Sequence, residues 1–275
     1  MQGAHTPAQA AKGQAFMKIV VLVKHVPEPS AVWSFSADDT LDRGAVAGRL
    51  SELDEYAVEQ AVRLVEGGLD AEITFLTVGP PGAKDGLLKA LAMGGNAGVH
   101  VVDDAIHGSD SLATSLVIAK ALEQVGFDLV LAGMASTDAE MSVVPSMVAD
   151  RLGVNQATFA GALSVDGSTV SITRDSDTAT EQVSTQLPAV VSVTDQTGEA
   201  RYPAFRAIMM AKKKPIQTLS LADLGVDPAS VGLAASGTRV VSVSPAPART
   251  AGTVVVDDGT GAAQLADFLA TRGLL

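Results

Sequence analysis

The sequence predicts an α/β fold: a doubly wound, mostly parallel sheet with an appended antiparallel patch and a C-terminal arm. Three observations predict it. Short, nearly continuous apolar runs alternate with segments of helical period over residues 17–152, as they do when parallel strands are buried on both faces. The links between them are short, which is the connection pattern of strand–helix–strand units. Beyond residue 160 the pattern switches to strands around the turn pair Asp166-Gly167, a strong hairpin signal.

The elements follow in order. Residues 1–16 (MQGAHTPAQAAKGQAF) are small and polar and lack the apolar stretch of a signal peptide. They read as a disordered leader, a tag or an upstream start. Residues 18–23 (KIVVLV) are β-branched and predict the first strand. Residues 51–65 have helical spacing, with Ala57, Val58, Ala61, Val62 and Val65 on one face and Glu52, Glu55, Glu59 and Arg63 on the other. Strands follow at 71–78, 98–102 and 127–131, alternating with helices at 83–93, 109–125 and 141–152. Residues 161–165 and 169–173 form the hairpin. Residues 182–187 and 189–193, separated by Pro188, read as further strands of the antiparallel patch. After Leu224-Gly225 the chain loses period and gains Ser, Pro and Ala, so residues 226–275 read as an arm ending in a short helix at 262–271. The domain proper is then 17–225.

Composition narrows the function. The chain has 275 residues, 47% of them apolar and 18% charged, enough to build a substantial core. Its 19 Lys and Arg face 31 Asp and Glu, a net charge of -12, which argues against generic binding to nucleic acid or anionic lipid. Cysteine is absent, which excludes disulfides, thiol nucleophiles, iron–sulfur clusters and cysteine-bound zinc. The four histidines, His5, His25, His100 and His107, form no HExxH, and no metal site is expected. No run approaches the ~18 apolar residues of a membrane helix, so no membrane insertion is expected and a cytoplasmic location is the default.

In an open α/β sheet the ligand crevice lies beyond the carboxyl ends of the strands. Four exits qualify: Lys24-His25, Val78-Gly79, Asp103-Asp104 and residues 133–144. The last, GMASTDAEMSVV, leads into a helix whose free N–H groups and dipole favour a phosphate. Ser136, Thr137 and Asp138 equally suit a helix cap, and composition leaves both readings open. Ser51-Glu52-Leu53-Asp54 has the form of a capping box and reads first as a helix start. His25 reads as a solvated strand tip. No GxGxxG, GxxxxGK[ST], GxSxG or strand-end SGG occurs. A nucleotide held here would be structural or carry electrons. Lys212-Lys213-Lys214 reads as a solvated helix end, and the neighbouring Tyr202, Phe205, Ile208, Met209 and Met210 as core packing.

Several of these segments together resemble a known family. The order KIVVLVKHVPE, LDEYAVEQAVRL, LTVGP, KALAMG, HVVDDAIHGSD, DLVLAGMASTDAEMSVVP, LPAVVSVT, EARYPAFRAIMMAKKKP and PARTAG resembles the β subunit of electron transfer flavoprotein. The chain looks like the bacterial, actinobacterial type. The resemblance runs from about residue 17 to the C-terminus, and the RYP-x-F-x-x-IM-x-AKKK block is its most specific piece.

The resemblance implies a Rossmann-like, adenine-nucleotide-binding domain in a heterodimer with an α subunit. Such a heterodimer is an electron carrier and not an enzyme. It takes electrons from flavin dehydrogenases, typically acyl-CoA dehydrogenases of fatty acid β-oxidation, and passes them through a quinone-linked oxidoreductase toward the quinone pool. FAD is shared with the α subunit, and the β subunit holds AMP or a second FAD. By position the nucleotide pocket maps onto Leu22, Ser51, Leu53, Asp54, Val78, Gly133, Met134, Ala135, Ser136, Thr137, Asp138, Met141, Ser142, Val143 and Val144. The C-terminal arm would wrap the α subunit. The dehydrogenase-docking loop maps onto Thr197, Gly198, Glu199, Arg201 and Tyr202. Where the family commonly reads IN-EPRY or LN-EPRY, this chain has TGEARY. Thr197 at the anchor buries far less apolar area than Leu, whose full burial contributes roughly 1.5–3 kcal/mol. Residues 141–145 (MSVVP) replace the NQTG- or AQVG-like run of many members. The alternatives are a stand-alone adenine-nucleotide sensor, and an adenylate-transferring enzyme that the missing SGG argues against.

Overall fold

The computed structural model describes residues 16–244, 246–248 and 252–275; the expected leader at 1–16 lies, apart from Phe16, outside the described residues. Two compact units are present, one ending at Val241 and a second at Ser242–Leu275.

In the first unit β1 (Met17–Leu22) is followed by a small antiparallel ribbon of β2 (His25–Pro27) and β3 (Gly48–Leu50). Then come α1 (Glu52–Glu66), β4 (Ala71–Val78), α2 (Lys84–Met93), β5 (Ala97–Val101), α3 (Ser111–Val125), β6 (Leu129–Gly133) and α4 (Val144–Leu152). β7 (Asn155–Ala160) precedes the antiparallel sheet of β8 (Ala162–Asp166), β9 (Thr169–Asp175) and β10 (Thr180–Gln186). The chain returns through β11 (Ala189–Val193), α5 (Phe205–Ala211), β12 (Ile216–Leu219) and the single turn α6 (Gly232–Ala235). The main sheet has seven strands in the order β12-β5-β4-β1-β6-β11-β7, every neighbouring pair parallel. The expected α/β class and the appended antiparallel patch are both present.

The continuous apolar runs have a direct cause. Along β1, Ile19 and Val21 face the α1–α2 layer while Val20 and Leu22 face the α3–α4 layer, so successive side chains enter two different cores. Phe75 and Leu76 divide the same way on β4, as do Leu131 and Val130 on β6. β1 therefore accepts no polar residue after Lys18, the exposed second residue of the strand.

Three expectations are corrected. Residues 189–193 are not part of the antiparallel patch: β11 is buried along its whole length between β6 and β7. Residues 226–241, read from the sequence as the start of the arm, pack onto the first unit. Val226 and Val231 are buried there, Gly232 donates to Ser109 Oγ at 2.8 Å, and Asp110 donates its N–H to Ser236 Oγ at 2.9 Å. The third concerns α5. Tyr202 is 93% exposed and Phe205 79%, and Ile208, Met209 and Met210 are also exposed. Of this helix only Ala211 is buried. The lysine run is likewise split: Lys212 and Lys213 are exposed, whereas Lys214 Nζ donates to the carbonyls of Leu91 at 2.7 Å and Gly94 at 3.1 Å. It closes the C-terminal end of α2, where a cation is favoured, and burial lowers its pKa.

The second unit holds α7 (Gly261–Thr271), with Asp257 Oδ1 accepting from the N–H groups of Gly259 and Gly261 at its start. Leu265, Phe268, Leu274 and Leu275 are exposed. Among the described residues no helix is long and apolar enough to cross a membrane, and no group of three His, Asp or Glu is placed to hold a metal.

Candidate functional site

The sheet order places the switch point at β1 and β6: the chain builds outward through β4 and β5 on one side of β1, then returns to the other side with β6. A crevice beyond the carboxyl ends of such a strand pair is where ligands of doubly wound folds lie. Its floor is made by the close approach of α1 to the end of β6. A Cβ at Gly133 would stand 2.7 Å from the carbonyl carbon and oxygen of Leu53 and 2.7 Å from Asp54 Oδ1. Only glycine permits that approach.

The expected capping box does not form. Ser51 is fully buried but makes no side-chain cap on α1. Its Oγ instead accepts from the Thr137 N–H at 3.4 Å, reaching the 133–144 loop. Asp54 turns away from the helix start and accepts from the Lys24 N–H at 2.7 Å, so one carboxylate joins the end of β1 to the start of α1. Burial pushes the Asp54 carboxyl up to about 7. The amides of Lys24 and Gly133 and the Lys24 charge offset this only in part, and Asp138 adds to it.

Ser136, Thr137 and Asp138 do not cap α4 either. That helix starts at Val144, later than the expected 141, and Val143 at its cap position offers no side-chain acceptor. Pro145 in its first turn has no N–H and the Met147 N–H bonds the Val143 carbonyl at 3.0 Å, so only the N–H groups of Val144 and Ser146 lack a side-chain cap there. Ser136 and Asp138 instead meet a pair of cations: Lys24, already marked as a strand exit, and Arg43, which sequence inspection missed. Lys24 Nζ donates to Ser136 Oγ at 3.2 Å and to Asp138 Oδ1 at 2.9 Å, and Arg43 Nη2 donates to Asp138 Oδ2. The Asp138 side chain is entirely buried between them. Burial alone would raise its pKa; the Lys24 and Arg43 charges more than reverse that and hold it at about 2. Arg43 Nη1 and Thr137 Oγ1 are buried with no hydrogen-bond partner among the described residues. The loop also holds two non-glycine residues in the left-handed region, Glu140 at φ 51° and Ser142 at φ 56°, a strain that clusters at functional sites.

The structure thus gathers Ser51, Asp54, Gly133, Ser136, Thr137 and Asp138, with Leu53 pressed against Gly133. Leu22 ends β1 in the second core, Met134 donates its N–H to the Val193 carbonyl at 2.9 Å, and Ala135 is half-buried beside it. Val78 packs against the second core at the end of β4. Met141 is 62% exposed, while Ser142, Val143 and Val144 form the half-buried approach to α4. His25 is not a solvated tip: its ring lies against Gly48 and Gly86, and this burial lowers its pKa.

A second constellation surrounds residues 197–202. Thr197 is half-buried, and its Oγ1 donates back to the Thr194 carbonyl at 2.8 Å. The Thr197 carbonyl accepts from Gln60 Nε2 at 3.2 Å and Arg63 Nη1 at 3.1 Å, and the Glu199 carbonyl from Arg63 Nη2 at 2.9 Å. Arg201 pairs with Glu59 at 2.7 Å and Glu66 at 2.6 Å. Glu59 was expected on the solvent face of its helix but is only 3% exposed, because Arg201 and Arg63 cover it. Burial raises its pKa and hydrogen bonds from both arginines reverse the sign, leaving it lowered. The i,i+4 spacing of Glu59 and Arg63 was the one signal of this network visible in sequence.

The electron transfer flavoprotein domain matches residues 39–224. A protein of Mycobacterium leprae named electron transfer flavoprotein subunit beta is 40% identical over 266 residues, covering 94% of this chain and 99% of its own. The chain belongs to the electron transfer flavoprotein family. It stands with the β subunits: proteins of that name from Megasphaera elsdenii and Bradyrhizobium diazoefficiens are 32% and 34% identical, over 87% and 77% of this chain and 91% and 84% of their own.

Proposed function

We propose that this β subunit pairs with an electron transfer flavoprotein α subunit and holds an adenine nucleotide, AMP or a second FAD, in the crevice between β1 and β6. The pair carries electrons from flavin dehydrogenases, such as acyl-CoA dehydrogenases, through a quinone-linked oxidoreductase toward the quinone pool. The observation that supports the nucleotide most directly is the pair of buried, unpartnered groups, Arg43 Nη1 and Thr137 Oγ1. Each such group costs about 1–3 kcal/mol when left unpaired, and a phosphate or ribose oxygen is the partner both can use. The uncapped N–H groups of Val144 and Ser146, with two cations, Lys24 and Arg43, set against the single Asp138 carboxylate, favour negative charge at the same site. Residues 133–138 supply its wall, and Leu22, Val78 and Met134 its apolar part.

Flavin, when bound, supplies the redox chemistry. The chain's own residues bind and dock. Residues 197–202 form the donor-docking loop, and the exposed Tyr202, Phe205 and Met209 supply the apolar contact that the tied-back Thr197 does not. The exposed apolar side chains of α7 are the arm's contribution to the α subunit.

Co-expression with the α subunit tests this reading. The purified heterodimer should be yellow, and extraction should yield flavin and an adenine nucleotide. One flavin with AMP identifies a simple carrier, and two flavins a second redox site. A colourless, nucleotide-free heterodimer overturns the proposal. Nucleotide bound to the isolated chain, with no α subunit captured, would favour a sensor instead.

A further inference from the structure

We propose that Arg63, seated on Glu59, is the positioning residue that gives the docking loop its shape. This inference rests on the reading of residues 197–202 as the loop met by the electron donor. Arg63 uses all three edges of its guanidinium. Nε is held by Glu59 Oε1 at 2.7 Å, while Nη1 and Nη2 donate to the carbonyls of Thr197 and Glu199. The planar fork thus bridges two backbone carbonyls across Gly198, a geometry that lysine cannot reproduce.

Gly198 is fitted to that arrangement. Its φ of +99° belongs to the region that favours glycine, and a Cβ there would lie 3.2 Å from Arg63 Nη1. The same side of the loop is bound a second time, since Arg201 Nε donates to Glu59 Oε2 at 2.7 Å and Arg201 N to the same oxygen at 3.1 Å. Glu59 therefore fixes both arginines, one reaching the loop's first half and the other anchoring its second. A loop held this way meets a partner with less ordering cost than a free one.

The test uses the α/β heterodimer carrying Arg63→Gln, with Arg63→Lys beside it. Arg63→Gln leaves Glu59 paired with Arg201, so folding is retained, with melting temperature and flavin spectrum as controls. Amide exchange at Thr197 and Gly198 should speed about tenfold. The apparent KM for the heterodimer as acceptor of an acyl-CoA dehydrogenase should rise by a similar factor, with kcat changed by less than about twofold. Arg63→Lys should recover only part of each effect. Unchanged exchange overturns the inference. A raised KM with unchanged exchange also overturns it, by assigning Arg63 to direct partner contact. Faster exchange with unchanged KM overturns it through the docking reading itself, leaving the clamp without a role in electron delivery.

Discussion

Two polar constellations on this protein are built from the same kinds of groups and end in opposite states. The crevice sets Lys24 and Arg43 against the buried Asp138, and the loop network sets Arg63 and Arg201 against the buried Glu59. Around Glu59 the hydrogen bonds close: both arginines find carboxylate or carbonyl partners on every side described. Around Asp138 they do not, and Arg43 Nη1 and Thr137 Oγ1 stay buried and unmatched. A closed network fixes a shape; an open one marks a place where something else completes it. On the proposed reading, the difference separates a surface that presents from a site that receives.

The largest expected effect lies under the crevice. Asp54 carries a carboxyl raised to about 7, against an ordinary value of 3.8. The folded protein thus keeps this proton up to about pH 7, whereas the unfolded chain releases it near pH 4. Between those values the folded state binds more protons, so this group's contribution to stability falls as pH rises, by a slope approaching one proton. Lys24 works against the shift and Asp138 with it. Asp54→Asn removes the titration and adds a pH-independent cost from an amide facing the Lys24 N–H. Wild type should lose roughly 4 kcal/mol relative to Asp54→Asn across that window. Urea unfolding of both proteins at several pH values checks it, and a pH-independent difference would mean that Asp54 is an ordinary ionised carboxylate.

A smaller effect tests the open state directly. Arg43→Gln removes one unmatched donor and leaves Asp138 with Lys24. If the crevice receives a phosphate, adenine-nucleotide affinity of the folded protein should fall about tenfold, the worth of one charge-assisted hydrogen bond, and the nucleotide-free chain should also lose stability, because the buried Asp138 keeps only Lys24. Calorimetric titration with AMP reads the first quantity and thermal unfolding the second. Equal AMP affinity in the two proteins would place the nucleotide elsewhere.

How much of this was legible in the sequence follows from range. The strands that feed two cores, such as KIVVLV and AEITFLTV, announce themselves because successive residues along most of their length enter one apolar core or the other. The AVVSV run at 189–193 has the same character, yet its neighbours in sequence are hairpin strands, and its place between β6 and β7 is a long-range choice. The 133–144 loop stood out in the sequence because a strand exit is a local feature. Lys24 was picked out only as a strand exit and Arg43 not at all, because their partner Asp138 lies 114 and 95 residues away. The pairing of Arg201 with Glu59, 142 residues away, was hidden in the same way, although the resemblance had already picked out Arg201. Capping patterns misled for the opposite reason: Ser51 and Asp54 fit a local motif, but the crevice uses their oxygens for contacts across the sheet.

The smallest expected effect on the fold belongs to the presenting surface. Tyr202 is 93% exposed, and the contact of note is Lys89 Nζ at 5.4 Å from its ring centre. An exposed cation–π pair contributes about 0.5 kcal/mol, so Tyr202→Ala should shift unfolding by no more than that. Its neighbour Arg201 stays bound to Glu59 and Glu66 through side-chain and backbone contacts that the substitution leaves in place. The closed network therefore survives, and any loss of donor docking comes from the missing ring alone. Electron transfer from an acyl-CoA dehydrogenase at limiting heterodimer should slow several-fold, on the scale of one exposed aromatic at an interface. A large fall in stability would show that Tyr202 supports the loop instead of presenting from it. Unchanged transfer would move the apolar contact to Phe205 and Met209 on α5.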